Sequence, residues 1–386
     1  MHPKKVVLIK TPIHITSFAS ISPLGSSADE VWHNYLKPET LIVTKTLILA
    51  YLSSKSELLI EDLRYENRKY RGLDKTVLLG IFAARQAINN AEWTNDSVIG
   101  INIGSSRGAT ELFEKFHKDF VLQNKLNVLT SPNTTLGNIS TWLANDLQVQ
   151  GPVISHSITC STALHSVLNG IAWLNADMSS KFIVGGSESA NTEFTVAQMQ
   201  ALNIYSKIKN DYPCKSLAFN KTQNTMVLGE GSAVFCLEKD AKKSVAKIIG
   251  YGFATELVEH NIAISTNANC FQDSMQMAIK GFNFNDIDVI VMHAPGTIKG
   301  DLSELNAIKK VFGPNHPAIT SNKWKIGHTL GASGALSLEF AILMLQHQQL
   351  IESPFYKNQN KPKKLKKILV NAVGFGGNAV SILIEK

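Results

Sequence analysis

The chain has 386 residues, 44% of them hydrophobic and 18% charged. That composition excludes a disordered polymer and suffices for a large core without disulfide or metal staples. Lys and Arg outnumber Asp and Glu by 38 to 31, a net +7 that favours an anionic partner. Scattered lysines and only 8% aromatic residues, with no zinc-finger or RNA-binding pattern, argue against nucleic acid.

The N-terminal MHPKKVVLIKTPIHI places two lysines before an apolar run, but Lys10 and Pro12 break it, so no signal peptide is expected. No run reaches the roughly 18 apolar residues of a membrane span. The four cysteines, at 160, 214, 236 and 270, form no CxxC pair; reduced thiols and a cytoplasmic setting are expected, with no metal site.

Short β-branched apolar runs alternate with helical periodicities, which predicts an α/β fold whose sheets are buried on both faces. In the first half strands are predicted at 6–9, 99–104, 153–159, 182–186 and 232–238. Helices are predicted at 76–89, through Val77, Leu78, Ile81, Phe82 and Ile88, and at 161–174, through Leu164, Val167, Leu168 and Ile171. In the second half the predicted strands are 246–253, 289–293, 318–321, 368–373 and 379–384, with helices at 273–280, 302–311 and 332–345. A strand PVISHSIT leads into Cys160 and an apolar helix; a strand PAITSNK leads to His328 and another. Such a duplicated βα unit would bring both helix starts together across a pseudo-dyad. The halves are read as 1–240 and 241–386, divided at a charged segment, 239–244. The lysine-rich KNQNKPKKLKK at 357–367 reads as a solvated loop or as a patch for an acidic protein or phosphate.

Cys160, in SITCSTALHS, stands at a strand–helix junction. There the helix dipole would lower its pKa and raise its nucleophilicity; a buried structural cysteine is the competing reading. Cys236, within AVFCLE, reads as core. His293 ends the strand VIVMH, where α/β ligand sites form. His328, in KIGHTLGASGA, is followed by small residues that permit close backbone approach. GFGG at 374–377 follows ILVNAV and reads either as a hairpin turn or as a set of N–H groups for an oxyanion. One cysteine with two histidines can supply a thiolate nucleophile and two imidazole donors.

These segments, taken with ISPLG (21–25), TCSTA (159–163), GGSES (185–189), LGEGSA (228–233), HAPGTIKGD (293–301), KWKIGHTLGASG (323–334) and NAVGFGG (371–377), resemble the β-ketoacyl-acyl carrier protein synthases, condensing enzymes of the thiolase superfamily. The resemblance spans more than 350 residues. It implies a thiolase fold of five αβαβα layers in two pseudo-duplicated halves, and a homodimer or a heterodimer with a homologous subunit. It implies acylation of Cys160, with His293 and His328 assisting decarboxylation of a malonyl unit held on acyl carrier protein. Lys323 is the motif lysine, with Asp301 and Glu304 as its acidic neighbours. The backbone N–H groups of Cys160 and Phe375 form the implied oxyanion hole. Thr297, Gly376, Gly377, Met199, Met226 and Gln198 are the implied pantetheine and acyl contacts. No cofactor is implied beyond the 4′-phosphopantetheine that carries the substrates.

The chain also departs from that family. Pro295 stands where a threonine is usual, and Asn220, Gln223, Thr225 and Met226 alter the segment FNKTQNTMVLGEG. GFGGN is one residue shorter than the usual GFGGTN. Glu193, Gln198 and Gln200 bring polarity to the pocket segment 192–202. These changes point away from housekeeping elongation and toward a specialised pathway, such as one making polyene chains. A chain-length-factor-like partner subunit is the alternative, although such subunits usually lack the cysteine. A Cys–His hydrolase would leave the second histidine motif without a role. Arg64, Arg68, Lys69 and Arg71 are candidate carrier-docking residues.

Overall fold

The computed structural model describes residues 11–93, 98–136, 138–257 and 264–386; the strand predicted at 6–9 lies outside them. In chain order the strands are β1 (Ile13–Ile21), β2 (Val43–Thr44), β3 (Ile48–Ala50), β4 (Ile99–Gly104), β5 (Val153–Ile154), β6 (Lys181–Glu188) and β7 (Leu228–Gly229). They continue with β8 (Gly231–Glu238), β9 (Ala246–Thr255), β10 (Val289–Val291), β11 (Ala318–Thr320), β12 (Lys367–Gly374) and β13 (Asn378–Glu385). β2, β3 and β7 make a small separate sheet. The other ten form one hydrogen-bonded array in the order β11-β10-β12-β13-β9-β1-β8-β6-β4-β5.

That order repeats. Either side of the β1–β9 pair, the five strands run third, second, fourth, fifth, first from edge to centre. The sense of pairing repeats too: β4 is parallel to β5 and β6 as β10 is to β11 and β12, and β8 and β13 run antiparallel to their neighbours. His328 and Cys160 therefore follow corresponding strands, β11 and β5.

Period-2 alternation divides each strand between two cores. Phe182 and Val184 of β6, Phe235 and Leu237 of β8, Val370 of β12 and Ile382 of β13 enter a central core. Ile183, Val234 and Cys236 turn outward onto the helices Lys75–Ala91 and Asn138–Leu147. Ile290, Leu369 and Leu383 turn outward onto Asn269–Ala278 and Ile298–Phe312. Between the two halves of that array lie the helices Thr162–Asn175 and Ser333–His347. The second is buried along residues 333–345, so it is apolar all round rather than amphipathic. The five-layer αβαβα arrangement implied by the resemblance is the one the chain adopts.

Several elements differ from the periodicity reading: it lacks the helices Ala28–Leu36, Ser54–Glu66, Thr110–Gln123, Asn138–Leu147 and Glu193–Ala201, and the strand predicted at 289–293 ends at Val291. β1, the strand of its half that pairs with β9, is also absent from that reading because Ser17 and Ser20 interrupt its apolar run; both are buried, and Ser17 Oγ donates to the Ala87 carbonyl at 2.5 Å. The strand predicted at 153–159 stops at Ile154. Beyond it the Ile158 N–H donates to Thr162 Oγ1 (2.8 Å), and Thr159 takes a left-handed φ of 47°.

One carboxyl group in the central layer is out of place. Glu339 is fully buried in the helix Ser333–His347, and neither oxygen has a hydrogen-bond partner among the described residues. Burial raises its pKa to about 7, opposed by the nearby Ser20 hydroxyl. A carboxyl whose folded pKa exceeds its unfolded value of 4.5 leaves stability intact below pH 4.5 and removes it as pH rises through 7. The loss approaches ~3 kcal/mol from this rise. Glu339→Gln should therefore melt higher than the parent at pH 8, with the two thermal denaturation curves converging near pH 5.

Candidate active site

The turn Ile158–Ser161 delivers Cys160 just before the helix Thr162–Asn175, with the Ser161 and Thr162 N–H groups donating to the Ile158 and Thr159 carbonyls. The turn is pressed from one side by the end of β12. A Cβ on Gly374 would lie 1.9 Å from Thr159 Oγ1 and 2.7 Å from the Ile158 carbonyl oxygen, distances that no side chain tolerates. Residues 375–377 then form the β12–β13 hairpin turn, with Gly376 and Gly377 at φ 87° and 72°. GFGG is therefore the hairpin that sequence allowed, and its first two residues also wall the site.

Cys160, His293, His328, Met199, Met226, Thr297, Gly374 and Phe375 line one cavity of ≈ 210 Å³. His293 and His328 meet edge to face, ring centroids 5.1 Å apart. Both are buried, and neither Nδ1 has a partner among the described residues. Burial holds His293 well below its usual pKa and His328 at about 3, and the Lys323 charge pushes both the same way. Each ring is thus neutral at pH 7, with one N–H to donate.

The Cys160 thiol differs from the expectation of a lowered pKa. Burial pushes it up to about 12, Glu188 adds to the rise, and Arg107 and Lys323 oppose it. The helix-end effect is local; desolvation of the sulfur between both halves outweighs it.

Lys323 is buried, its Nζ donating to Asn322 Oδ1 (2.9 Å) and Ser337 Oγ (3.3 Å). Burial lowers its pKa to about 8, and Cys214, Glu304 and Cys160 resist the fall. Asp301 and Glu304 do not pair with it. Asp301 Oδ2 takes a 2.6 Å ion pair from Lys221 and the Leu217 N–H, and Oδ1 takes the Gly296 N–H. Glu304 accepts the N–H groups of His293 and Ala294 at 3.0 and 2.9 Å and the Asn371 amide at 3.2 Å. These carboxylates fold the 293–297 loop, with Lys221 as the cation that sequence reading missed. Glu304's burial raises its pKa to about 7.

Thr297 caps the helix Ile298–Phe312, its Oγ1 accepting the Gly300 N–H, and lines the outer part of the cavity with Asn224 and Lys299. Gly376 and Gly377 shape the hairpin turn and are not cavity-lining, the positive φ of each being what the turn requires. Gln198 lines a neighbouring hollow, while Glu193 and Gln200 are exposed. Phe271, Ile204, Leu330 and Val373 also line the cavity; Leu330 and Val373 fall within quoted motifs, whereas Phe271 and Ile204, as ordinary apolar residues, carry no sequence signal.

Glu188, within GGSES, has a role that its motif does not announce. Its carboxylate accepts from Ser105 Oγ (2.8 Å), the Ser106 N–H (2.6 Å), the Arg107 N–H (3.2 Å) and the Gly331 N–H (2.9 Å). It ties the loop after β4 to the loop after His328. Among the described residues no cluster of three or more His, Cys, Asp or Glu could hold a metal ion, and no helix is long and apolar enough to cross a membrane.

Gly374→Ala should displace the Cys160 turn while leaving the sheets in place. Acyl loading of Cys160, followed by intact mass, should slow by about 10²-fold, the typical cost of an ångström-scale misplacement, with an unchanged far-ultraviolet circular dichroism spectrum.

Residues 10–243 match the family model of the β-ketoacyl synthase N-terminal domain, and residues 245–356 that of the C-terminal domain. The 3-oxoacyl-[acyl-carrier-protein] synthase 2 of Coxiella burnetii is 27% identical over 98% of this chain and 99% of its own. The protein of the same name from Staphylococcus aureus is 25% identical, covering 96% and 97%. Among solved structures, a β-ketoacyl synthase from Burkholderia phymatum superposes with a TM-score of 0.84 at 19% identity, covering 97% of this chain and 99% of that one. A ketosynthase in complex with its chain length factor from Xenorhabdus doucetiae superposes at 0.79 and 20%, covering 97% and 98%.

Proposed function

The chain belongs to the β-ketoacyl synthase family, and on that premise we propose that it is an active condensing enzyme that joins an acyl group held on Cys160 to a malonyl unit on acyl carrier protein. The observation that carries this reading is the shared cavity: a sulfur from one half and two imidazoles from the other line one largely apolar space beside the glycine turn.

In the first half-reaction Cys160 Sγ attacks the carrier thioester and the pantetheine thiol leaves. The N–H groups of Cys160 and Phe375 stabilise the tetrahedral oxyanion; each such donor is worth about 10²–10³ in rate. In the second, the carbon–carboxylate bond of the malonyl unit breaks, carbon dioxide departs, and the electron pair becomes an enolate. The neutral His293 and His328 rings donate to the enolate oxygen, where a charged imidazolium would hand over its proton instead. The enolate carbon attacks the acyl-Cys carbonyl, the new carbon–carbon bond forms, and Cys160 leaves as thiolate. Lys323, protonated below about pH 8, supplies the positive field that stabilises these transient anions. Thr297 and Met226 contact the pantetheine arm and Met199 the acyl chain.

The carrier protein and a second subunit are the proposed partners. The helix Thr110–Gln123 has no buried residue, yet Phe113, Phe120, Val121 and Leu122 are exposed along it, with Leu126, Val128 and Leu129 just beyond. An apolar surface of this extent is a subunit interface. Arg68, Lys69 and Arg71 are exposed and stand as the carrier-docking set, whereas Arg64 is engaged by Glu61 and the Leu73 carbonyl. The departures around 219–226 and Pro295 support a specialised, polyene-like pathway in the cytoplasm. A chain-length-factor-like role is disfavoured by the cysteine itself.

Incubation with acyl carrier thioesters should add one acyl mass to the parent and none to Cys160→Ala; loading of both, or of neither, would refute the assignment. Turnover with carrier-bound substrate should fall steeply between low and 0.5 M salt, roughly following charge screening, while turnover with a small thioester stays level. Size-exclusion chromatography with light scattering should give twice the 42.3 kDa chain mass for the protein alone, or for its complex with a homologous subunit.

A further inference from the structure

Beside the Cys160 cavity lies a second hollow of ≈ 310 Å³, walled by Arg107, Thr110, Glu114, Thr134, Phe194 and Gln198 among others. The two spaces share one helix: near the C-terminal end of Glu193–Ala201, Met199 lines the Cys160 cavity and the preceding Gln198 lines the hollow.

Arg107 is the group that connects them. Its backbone is fixed at the C-terminal end of β4 by Glu188, the end of the sheet where α/β ligand sites form. Its Nη1 donates to Gln198 Oε1 at 2.5 Å. Among the described residues no carboxylate pairs with the guanidinium; its side-chain partner is a neutral amide. Its positive charge opposes the rise of the Cys160 pKa. A guanidinium with unused donors in a hollow next to the Cys160 cavity does not suit a plain alkyl chain, which would strip its water and return no hydrogen bond. Nor does the hollow suit an anionic chain end, because Glu114, whose Oε1 accepts from Thr192 Oγ1, stands on the same wall. What fits is a neutral oxygen acceptor.

We propose that Arg107, aimed by Gln198, is a specificity-determining residue that selects acyl chains carrying a neutral carbonyl or hydroxyl oxygen over plain alkyl chains of equal length. The inference rests on the condensing-enzyme reading, because it concerns the acyl group that Cys160 holds. It makes the preferred substrate an already oxygenated chain rather than a saturated fatty acyl group. The enzyme that supplies it must leave a keto group unreduced or a hydroxyl group undehydrated.

The test is competitive loading of the full-length protein with eight-carbon acyl carrier thioesters: octanoyl, 5-oxooctanoyl, 7-oxooctanoyl, 7-hydroxyoctanoyl and a chain ending in carboxylate. Each chain is competed pairwise against octanoyl, and intact mass reads the ratio of the two adducts in one tube, so a partly misfolded fraction cancels. The parent should load at least one oxo or hydroxy chain about tenfold faster than octanoyl and the carboxylate chain no faster. Arg107→Met should abolish or reverse that ratio, Gln198→Leu should weaken it, and Arg107→Lys should retain part of it. Oxo against hydroxy arms tell which oxygen is read. Preference for octanoyl or for the carboxylate chain, or a ratio unmoved by Arg107→Met, overturns the inference alone. If no thioester loads Cys160, the condensing-enzyme reading falls and the inference with it.

Discussion

The arrangement depends on how closely two backbones approach in the middle layer. A Cβ on Gly331 would lie 2.3 Å from the Ser106 nitrogen and 2.6 Å from Glu188 Oε2. That contact has no room for any side chain. It presses the loop after His328 onto the loops after β4 and β6, and Glu188 fastens it with hydrogen bonds to both. His328 and Cys160 follow topologically equivalent strands, and this approach, with that of Gly374 to the Cys160 turn, keeps both in one cavity. The bulky apolar residues of the central core supply free energy; the small ones supply proximity.

The same burial governs the charges. Cys160 is driven toward the neutral thiol, both histidines toward neutral imidazole, and Glu188 and Glu304 to about 7. Lys323 comes down to about 8. Removing these groups from water disfavours whichever form is charged. At rest the site holds little net charge, so donors and the Lys323 field act most strongly when the reaction itself creates an anion. A permanently formed thiolate would be a better nucleophile but a stronger acceptor for its neighbours' protons. The buried thiol keeps the imidazole N–H groups available.

Much of this was legible in the residues. Period-2 and period-3.6 patterns located β6, β8, β12, β13 and the two central helices, because buried strands and helices carry the strongest apolar signal. The helix start after Cys160 and the GFGG turn were readable as local motifs, and His293 as a residue just past a strand that ends at Val291. What could not be read was non-local. β1 hides because two buried serines break its apolar run, one of them, Ser17, satisfied by a distant helix carbonyl. The direction of the Cys160 shift depends on the opposite half of the molecule. Lys221 lies 80 residues from the Asp301 carboxylate it meets. Gln198 and Met199 are adjacent in sequence yet serve different cavities, a distinction that only the helix's orientation makes.

The hairpin at Gly374 has a consequence for biosynthesis. β13 is an interior strand, paired with β12 on one side and β9 on the other, and the turn before it forms a wall against the nucleophile's loop. Cys160, His293 and His328 all precede β13, the strand that bridges β12 and β9. The side chains that do the chemistry are therefore made before the strand whose turn walls them in.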